Sequence, residues 1–454
     1  MDTLKNAKGK FASVNKDILG FIGAFVDEHS FVETDAFVCS ENPLGEAVGE
    51  GVVTGFATVN DKSVCLFVTN PKVLKGSIGE KSAKKIVRII RTAIQMNKPL
   101  IAVWDTAGAR FAEGIAALEG YGEILRAFGK ANAESIPVIT VLKGNNLGIS
   151  AYTAGLSNFV IAYDNSVIAT ASPLVLAAET GEDVKNVGSA KKSAQCGIAD
   201  ITVKTDKELR DNLTKLFNVI YDKAEYGDDL NRVCKGLKAG VSPRSVINEV
   251  FDKNSFVELR GEYAPEVITG FASLGDTAVG VVITDSSKSD GRLSALACDK
   301  IKGFLVNCED IECPTVIFTD SVGTMRTADE ASLIREMSSL LFLMNTAEVK
   351  LFSVVYGKAI GSAYTALVSP CDYKIAWECA EVGALESEAA ARLLYADEIK
   401  SAKDKDKAAQ KLAKEYGGEN NSALGVAYQG YFDNVIEPNH TRAYLLAALS
   451  AHEE

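Results

Sequence analysis

The chain has 454 residues, room for two or more domains at roughly 100–200 residues each, and its 47% hydrophobic and 24% charged residues exclude disordered, collagen-like and low-complexity classes. Lys and Arg number 48 against 60 Asp and Glu, and the net charge of −12 sets nucleic acid and anionic membranes aside as main partners. The N-terminal residues lack the apolar core of a leader, and no apolar run approaches the ~18 residues of a membrane span, so a soluble, cytoplasmic protein is expected.

In chain order, residues 52–58 and 63–68 read as a strand pair about a turn at Asn60-Asp61, being rich in β-branched and apolar side chains. Residues 82–96 put Ala83, Ile86, Val87, Ile90, Ala93 and Ile94 on one helical face, with Lys84, Lys85, Arg88 and Arg91 mostly outside it. Residues 100–104 form a short buried strand ending at Asp105, and residues 138–142 form another. A Gly-containing turn and a helix from about Ser150 follow, then strands at 158–163 and 167–169. Strands alternating with helices predict α/β domains with a largely parallel sheet.

The same series recurs. Ser30-Phe-Val-Glu33 returns as Ser255-Phe-Val-Glu258, and Thr54-Gly-Phe-Ala57 returns as Thr269-Gly-Phe-Ala272. Asp105-Thr-Ala-Gly108 returns as Asp320-Ser-Val-Gly323, and Ser150-Ala-Tyr-Thr-Ala154 as Ser362-Ala-Tyr-Thr-Ala366. Four matches in one order at similar displacements predict two similar domains in tandem, 1–235 and 236–454, with the seam in the Gly-rich stretch 226–241.

In parallel α/β sheets, ligands sit beyond the carboxyl ends of the strands. Asp105-Thr-Ala-Gly-Ala-Arg110 and residues 144–150 fall there. The second of these is a strand-to-helix loop, whose leading amides near residues 148–150 suit a developing oxyanion. Gly357-Lys-Ala-Ile-Gly-Ser-Ala-Tyr364 repeats the device, and two such holes suit a reaction passing through two enolate-like species. Small residues that simply let a helix pack close to a sheet explain the pattern equally well at this point.

Other chemistry fits poorly. There is no Gly-x4-Gly-Lys-Ser/Thr loop, and Ser150 lacks a nucleophile elbow. Three histidines and nine cysteines without a Cys-x-x-Cys pair point to no metal site and to buried, reduced thiols.

Taken together, Gly49-Glu-Gly-Val-Val-Thr-Gly-Phe56, Gly76-Ser-Ile-Gly-Glu80, Asp105-Thr-Ala-Gly-Ala-Arg110, Phe318-Thr-Asp-Ser-Val-Gly323, Lys358-Ala-Ile-Gly-Ser-Ala-Tyr364 and Asp433-Asn-Val-Ile-Glu-Pro-Asn-His-Thr-Arg442 resemble the carboxyltransferase subunits of biotin-dependent acyl-CoA carboxylases and decarboxylases. The resemblance covers nearly the whole chain. It implies two tandem crotonase-like (ClpP/crotonase) domains, the first serving the acyl-CoA and the second biotin. It also implies carboxyl transfer between carboxybiotin, on a separate biotin carboxyl carrier protein, and a small CoA thioester such as acetyl-, propionyl-, methylmalonyl- or glutaconyl-CoA. A homo-oligomer is implied, a dimer or trimer of dimers.

By the same resemblance Gly148 and Ile149 supply the amides for the acyl-CoA oxygen, and Gly361, Ser362 and Ala363 those for the biotin ureido oxygen. Ala107, Gly108, Arg110, Gly323, Tyr364 and Thr365 are the implied ligand-binding residues, with Arg110 the leading cation for anionic CoA and Lys72 and Lys75 behind it. Two departures stand at the chemistry. Ile149 replaces a glycine of the family's usual pair and resists φ > 0. Residues 385–389, Leu-Glu-Ser-Glu-Ala, replace a Met-Gly-Pro-Glu-Gly-like stretch and bring Glu386 near the biotin approach. The alternatives are a biotin-independent crotonase-type decarboxylase or hydratase, and a non-catalytic scaffold that kept the fold.

Overall fold

The computed structural model describes residues 4–43, 45–221 and 226–452. It divides into two compact units, 1–220 and 221–454. The division precedes the 235/236 boundary read from the sequence because the intervening chain is bonded to the second unit. Tyr226 donates its N–H to Asp276 at 2.8 Å, Cys234 donates to the Asn439 carbonyl at 3.0 Å, and Leu237 packs in the second core.

After a first helix, Leu4–Val14, the main elements of the first unit start with helix α1 (Lys16–Phe25) and strands β1 (Val32–Thr34), β2 (Val52–Val59) and β3 (Lys62–Thr69). Helix α2 (Glu80–Met96), strand β4 (Leu100–Thr106), helix α3 (Ile115–Ala133) and strand β5 (Val138–Leu147) follow. Strands β6 (Phe159–Tyr163), β7 (Val167–Ala169) and β8 (Ile201–Val203) and helix α4 (Asp206–Ile220) complete it. The sheet runs β1-β2-β3-β4-β5-β6-β8, with β7 beside the end of β5. Strands β1 to β3 are antiparallel and the remainder parallel. Asn60 and Asp61 take φ of 51° and 61°, the left-handed pair that a two-residue hairpin requires.

The apolar stripe foreseen on α2 is buried as expected through Ile86 and Ile90, which share a core with Phe128 of α3 and Trp104 of β4. Lys85 departs from the expectation. It is 2% exposed, and its ammonium donates to the carbonyls of Gly49 and Val52, which fixes the turn before β2. An interior lysine escapes a face-by-face reading because its acceptors are backbone carbonyls some thirty residues away.

The second unit repeats this plan. It contains α5 (Pro243–Val250), β9 (Val257–Leu259), β10 (Val267–Leu274), β11 (Thr277–Thr284), α6 (Ala295–Asp310), β12 (Thr315–Ser321), α7 (Glu330–Thr346) and β13 (Leu351–Ile360). Then come α8 (Ser362–Leu367), β14 (Tyr373–Trp377), β15 (Glu381–Gly383), α9 (Ser387–Leu394), α10 (Lys405–Tyr416), β16 (Asn434–Ile436) and α11 (Thr441–His452). The strand order is β9-β10-β11-β12-β13-β14-β16, with β15 beside the end of β13. Lys300 duplicates Lys85, donating to the carbonyls of Tyr263 and Val267 at 2.7 and 2.6 Å.

None of the nine cysteines forms a disulfide; six are buried, Cys39 is intermediate and Cys196 and Cys379 are exposed. Among the described residues no helix is long and apolar enough to cross a membrane.

Candidate active site

In each unit the strand carrying the repeated aspartate runs into a glycine turn sewn to a neighbouring loop. After β4, Ala107 donates to the Lys75 carbonyl at 3.0 Å, and Gly108 at φ 95° donates to Thr106 Oγ1 at 3.0 Å. After β12, Val322 donates to the Asp290 carbonyl at 3.3 Å, and Gly323 at φ 106° donates to Ser321 Oγ at 3.3 Å. The amides of Ala107, Gly108 and Gly323 are therefore already bonded within the turns. What these residues offer a ligand is surface without side-chain bulk.

The aspartates join neighbouring strands. Asp105 accepts the Asn145 N–H at 3.1 Å and Asp320 accepts the Lys358 N–H at 2.8 Å. A Cβ on Gly144 would lie 2.4 Å from the Asp105 carboxyl, and one on Gly357 would lie 2.3 Å from that of Asp320. Only glycine lets each carboxylate slide beneath the loop it holds. Burial raises the Asp105 pKa from its ordinary value, against the opposing Asn145 hydrogen bond.

Beyond β5, Gly148 at φ 74° starts a 3₁₀ helix, Gly148–Leu156. The leading amides of a 3₁₀ helix have no acceptor inside it, and no side chain caps this one. The strained dihedral falls on Gly148 alone. Ile149 is not among the residues with positive φ, and its side chain packs against the first core. The substitution at 149 thus does not demand a conformation that isoleucine resists.

Beyond β13, Gly361 at φ 55° precedes α8. Its N–H donates to the Gly383 carbonyl at 2.8 Å, so of the three amides expected here that of Gly361 is engaged. Ser362 and Ala363 stand in the first turn of α8, where amides lack an i−4 partner. Gly148 and Gly361 are counterparts, since each follows the last strand residue paired with the short accessory strand, Leu147 with Ala169 and Ile360 with Gly383. Tyr364 is half-buried, with its ring 6.5 Å from that of Phe432, and Thr365 is exposed with its hydroxyl donating to the Ser362 carbonyl at 3.1 Å.

Arg110 requires correction. The sequence suggested a cation for CoA, but its side chain is fully buried. It pairs with Glu50 at 2.8 Å and Glu113 at 2.9 Å, and donates to the Ser77 carbonyl and Ser82 Oγ, each at 3.0 Å. It ties the glycine turn to α2 and to the turn before β2, and presents no charge to a ligand. Lys72 pairs with Asp17, and Lys75 is exposed on the loop that receives Ala107.

Two lysines not singled out from the sequence occupy the strand ends. Lys143, on β5, lies 3.1 Å from Asp206 and 3.4 Å from the centroid of the Phe21 ring. Burial pulls its pKa below the ordinary lysine value, against Asp206 and Asp105. It lines a pocket of about 190 Å³ with Phe21, Val68, Asn70, Lys72 and Asp105. Lys358, on β13, lies 2.6 Å from Glu386 and 3.8 Å from Glu381, bordering a pocket of about 630 Å³. Burial opposes its charge, yet Glu386 and Glu381 outweigh that and hold its pKa above the ordinary value. The signal for Lys358 was its place after the repeated glycine, Gly144-Asn145 in one half and Gly357-Lys358 in the other.

A model of the carboxyl transferase domain matches residues 6–454. The chain is 31% identical to the propionyl-CoA carboxylase carboxyltransferase subunit of Haloferax mediterranei, over 94% of this chain and 88% of that one. It is 29% identical to the methylmalonyl-CoA decarboxylase subunit alpha of Veillonella parvula, over 98% and 91%. Among solved structures, the hexameric transcarboxylase 12S core with methylmalonyl-CoA and methylmalonic acid bound superposes with a TM-score of 0.90 at 25% identity, covering 100% of this chain and 96% of that one.

Proposed function

The chain belongs to the carboxyl transferase domain family, an acyl-CoA carboxyltransferase by that membership, and on this premise we propose that it moves a carboxyl group between carboxybiotin on a separate carrier protein and a small acyl-CoA of the propionyl or methylmalonyl type. The observation that carries the reading is the duplicated turn. One positive-φ glycine in each unit is followed by helix-leading amides without a partner in their own helix.

In this reading the Gly148 and Ile149 amides receive the thioester oxygen of the acyl-CoA, and the Ser362 and Ala363 amides receive the ureido oxygen of biotin. The donor set fits a cyclic urea, whose carbonyl needs N–H partners and no charge. When bound, carboxybiotin supplies the carboxyl group as CO2 by breaking its N–C bond, takes up the α-proton of the thioester, and leaves the α-carbon's electron pair to form the new C–C bond. The chain's part is to hold both oxygens as negative charge grows on them. Removing one such donor from an oxyanion hole costs ~2.7–4 kcal/mol of transition-state stabilisation. No side-chain base is asked for, in keeping with a chain that has only three histidines.

With Arg110 inside the protein, phosphate recognition falls to Lys72 and Lys75, on the loop beside the first site. Working assemblies are homo-oligomers, as in the hexameric transcarboxylase core.

The test is transfer from methylmalonyl-CoA to free biotin, followed by loss of the CoA ester and appearance of carboxybiotin. Turnover that proceeds equally without biotin would overturn the reading in favour of a biotin-independent decarboxylase. Absence of both turnover and calorimetric binding of CoA esters would overturn it in favour of a scaffold.

A further inference from the structure

The pocket beside Lys358 carries a charge arrangement that the amide-based mechanism does not use. Its walls include Lys358 and Lys414 together with Glu381, Glu386 and Glu388. At about 630 Å³ it lies within the size range of small-molecule sites. It also shares a wall with the second candidate site, because β15 pairs with β13 from Lys358 to Ile360 and then accepts the Gly361 amide on the Gly383 carbonyl. At the rise of a strand, Lys358 lies roughly 10 Å before Gly361. A carboxylate on the ureido nitrogen lies beside the ureido oxygen anchored at the Ser362 end, and the lysine's four-carbon stem spans much of the remaining distance.

The two carboxylates facing Lys358 are not equivalent. Glu381 is committed elsewhere, accepting the Ser387 N–H at 2.9 Å and its hydroxyl at 2.7 Å, which anchors the start of α9. The Glu386 side chain, 40% exposed, has Lys358 as its one hydrogen-bond partner among the described residues. Pairs this exposed contribute only ~0–1 kcal/mol to stability. The bond is strong enough to orient the ammonium and weak enough to be exchanged.

Resting on the reading above, we infer that Lys358 is a positioning residue for the carboxylate that migrates in the second half-site, and that Glu386 is its internal counter-ion, yielding the ammonium to an incoming carboxylate and reclaiming it when neutral CO2 has left. The exchange makes and breaks no covalent bond. It replaces one ammonium–carboxylate pair by another, and Glu386 turns to solvent while displaced. Reclaiming the lysine disfavours recapture of CO2 at the site it has just left.

The experiment uses the full chain and two stable probes in calorimetric titration at low salt. One is biotin methyl ester, and the other is the same ester bearing a carboxymethyl group on the reactive ureido nitrogen. Glu386→Gln is expected to strengthen binding of the carboxylated probe roughly fivefold and to leave the neutral probe unchanged. Lys358→Met removes the preference for the carboxylated probe in either background, and Lys358→Arg retains it. A merely structural role would shift both probes together. Unchanged probe ratios in Glu386→Gln and Lys358→Met overturn this inference alone. Failure of the unaltered protein to bind either probe overturns the biotin reading, and this inference with it.

Discussion

Replacing Arg110 separates a ligand-binding cation from a structural one. Arg110→Met deletes a guanidinium that is fully buried against an equally buried Glu50 carboxylate, and takes the donor from the Ser77 carbonyl, while Ser82 Oγ keeps its bond to the Glu50 carbonyl. Breaking a buried pair by removing one partner costs about 3–5 kcal/mol, because the remaining charge is left without compensation. A urea-denaturation series following the first unit, with Trp104 in its core, should show a loss of that size. Adding Glu50→Gln to Arg110→Met should restore part of it, since the stranded charge is gone while an imperfectly bonded amide stays. The Michaelis constant for the CoA ester, measured where both proteins are folded, should change less than threefold, about 0.7 kcal/mol. A variant as stable as the parent with a tenfold higher Michaelis constant would refute the structural assignment and return Arg110 to the ligand.

Other consequences are as direct. Ile149→Gly should give no gain in turnover, because residue 149 does not adopt positive φ, and should destabilise the first unit by roughly 2 kcal/mol through lost packing, read in the same denaturation series. Gly361→Ala forces a side chain into φ 55° with its Cβ 3.3 Å from the Ala384 carbonyl. It should lower kcat for transfer to biotin on the order of a hundredfold, while calorimetric affinity for the CoA ester stays within twofold. Lys85 and Lys300 have pKa values lowered by burial from 10.5 to about 8. Between pH 8 and 10.5 the unfolded chain binds more protons at these positions than the folded chain, so their contribution to stability rises with pH across that window. The buried thiol of Cys308, pushed up to about 12, works the other way above pH 9. The lysine contribution is therefore read as the stability difference between the parent and Lys300→Met, which should move in the parent's favour as pH rises from 8 to 10.5.

Much of the architecture was legible because it is written twice. Displacements of 215 between Asp105 and Asp320, and between Thr54 and Thr269, correspond to equivalent strands in two sheets of the same order. Period-2 and helical patterns located β2, β3, β4 and α2 to within about two residues. The loops at Gly148 and Gly361 were visible through their glycines, since backbone that must adopt positive φ leaves a trace in composition.

Partnerships across long sequence separations were not legible. Arg110 beside a glycine turn looks like a phosphate ligand until Glu50, sixty residues earlier, is seen against it. Lys85 looks like a solvated face until its carbonyl acceptors are placed. The engagement of the Gly361 amide by Gly383 depends on the accessory strand β15, three residues long and without a pattern of its own. Glu386 could be placed near the second site from its departure, but its pairing with Lys358 needed the register of β13 against β15.

The most direct measurement is a crystal structure of the protein with methylmalonyl-CoA and biotin bound together. Two pairs of main-chain donors serving two ligand oxygens predict the thioester oxygen at about 2.7–3.1 Å from the nitrogens of Gly148 and Ile149, and the ureido oxygen equally close to those of Ser362 and Ala363. Ligand oxygens held instead by side chains, with those four nitrogens bonded to protein carbonyls, would contradict it.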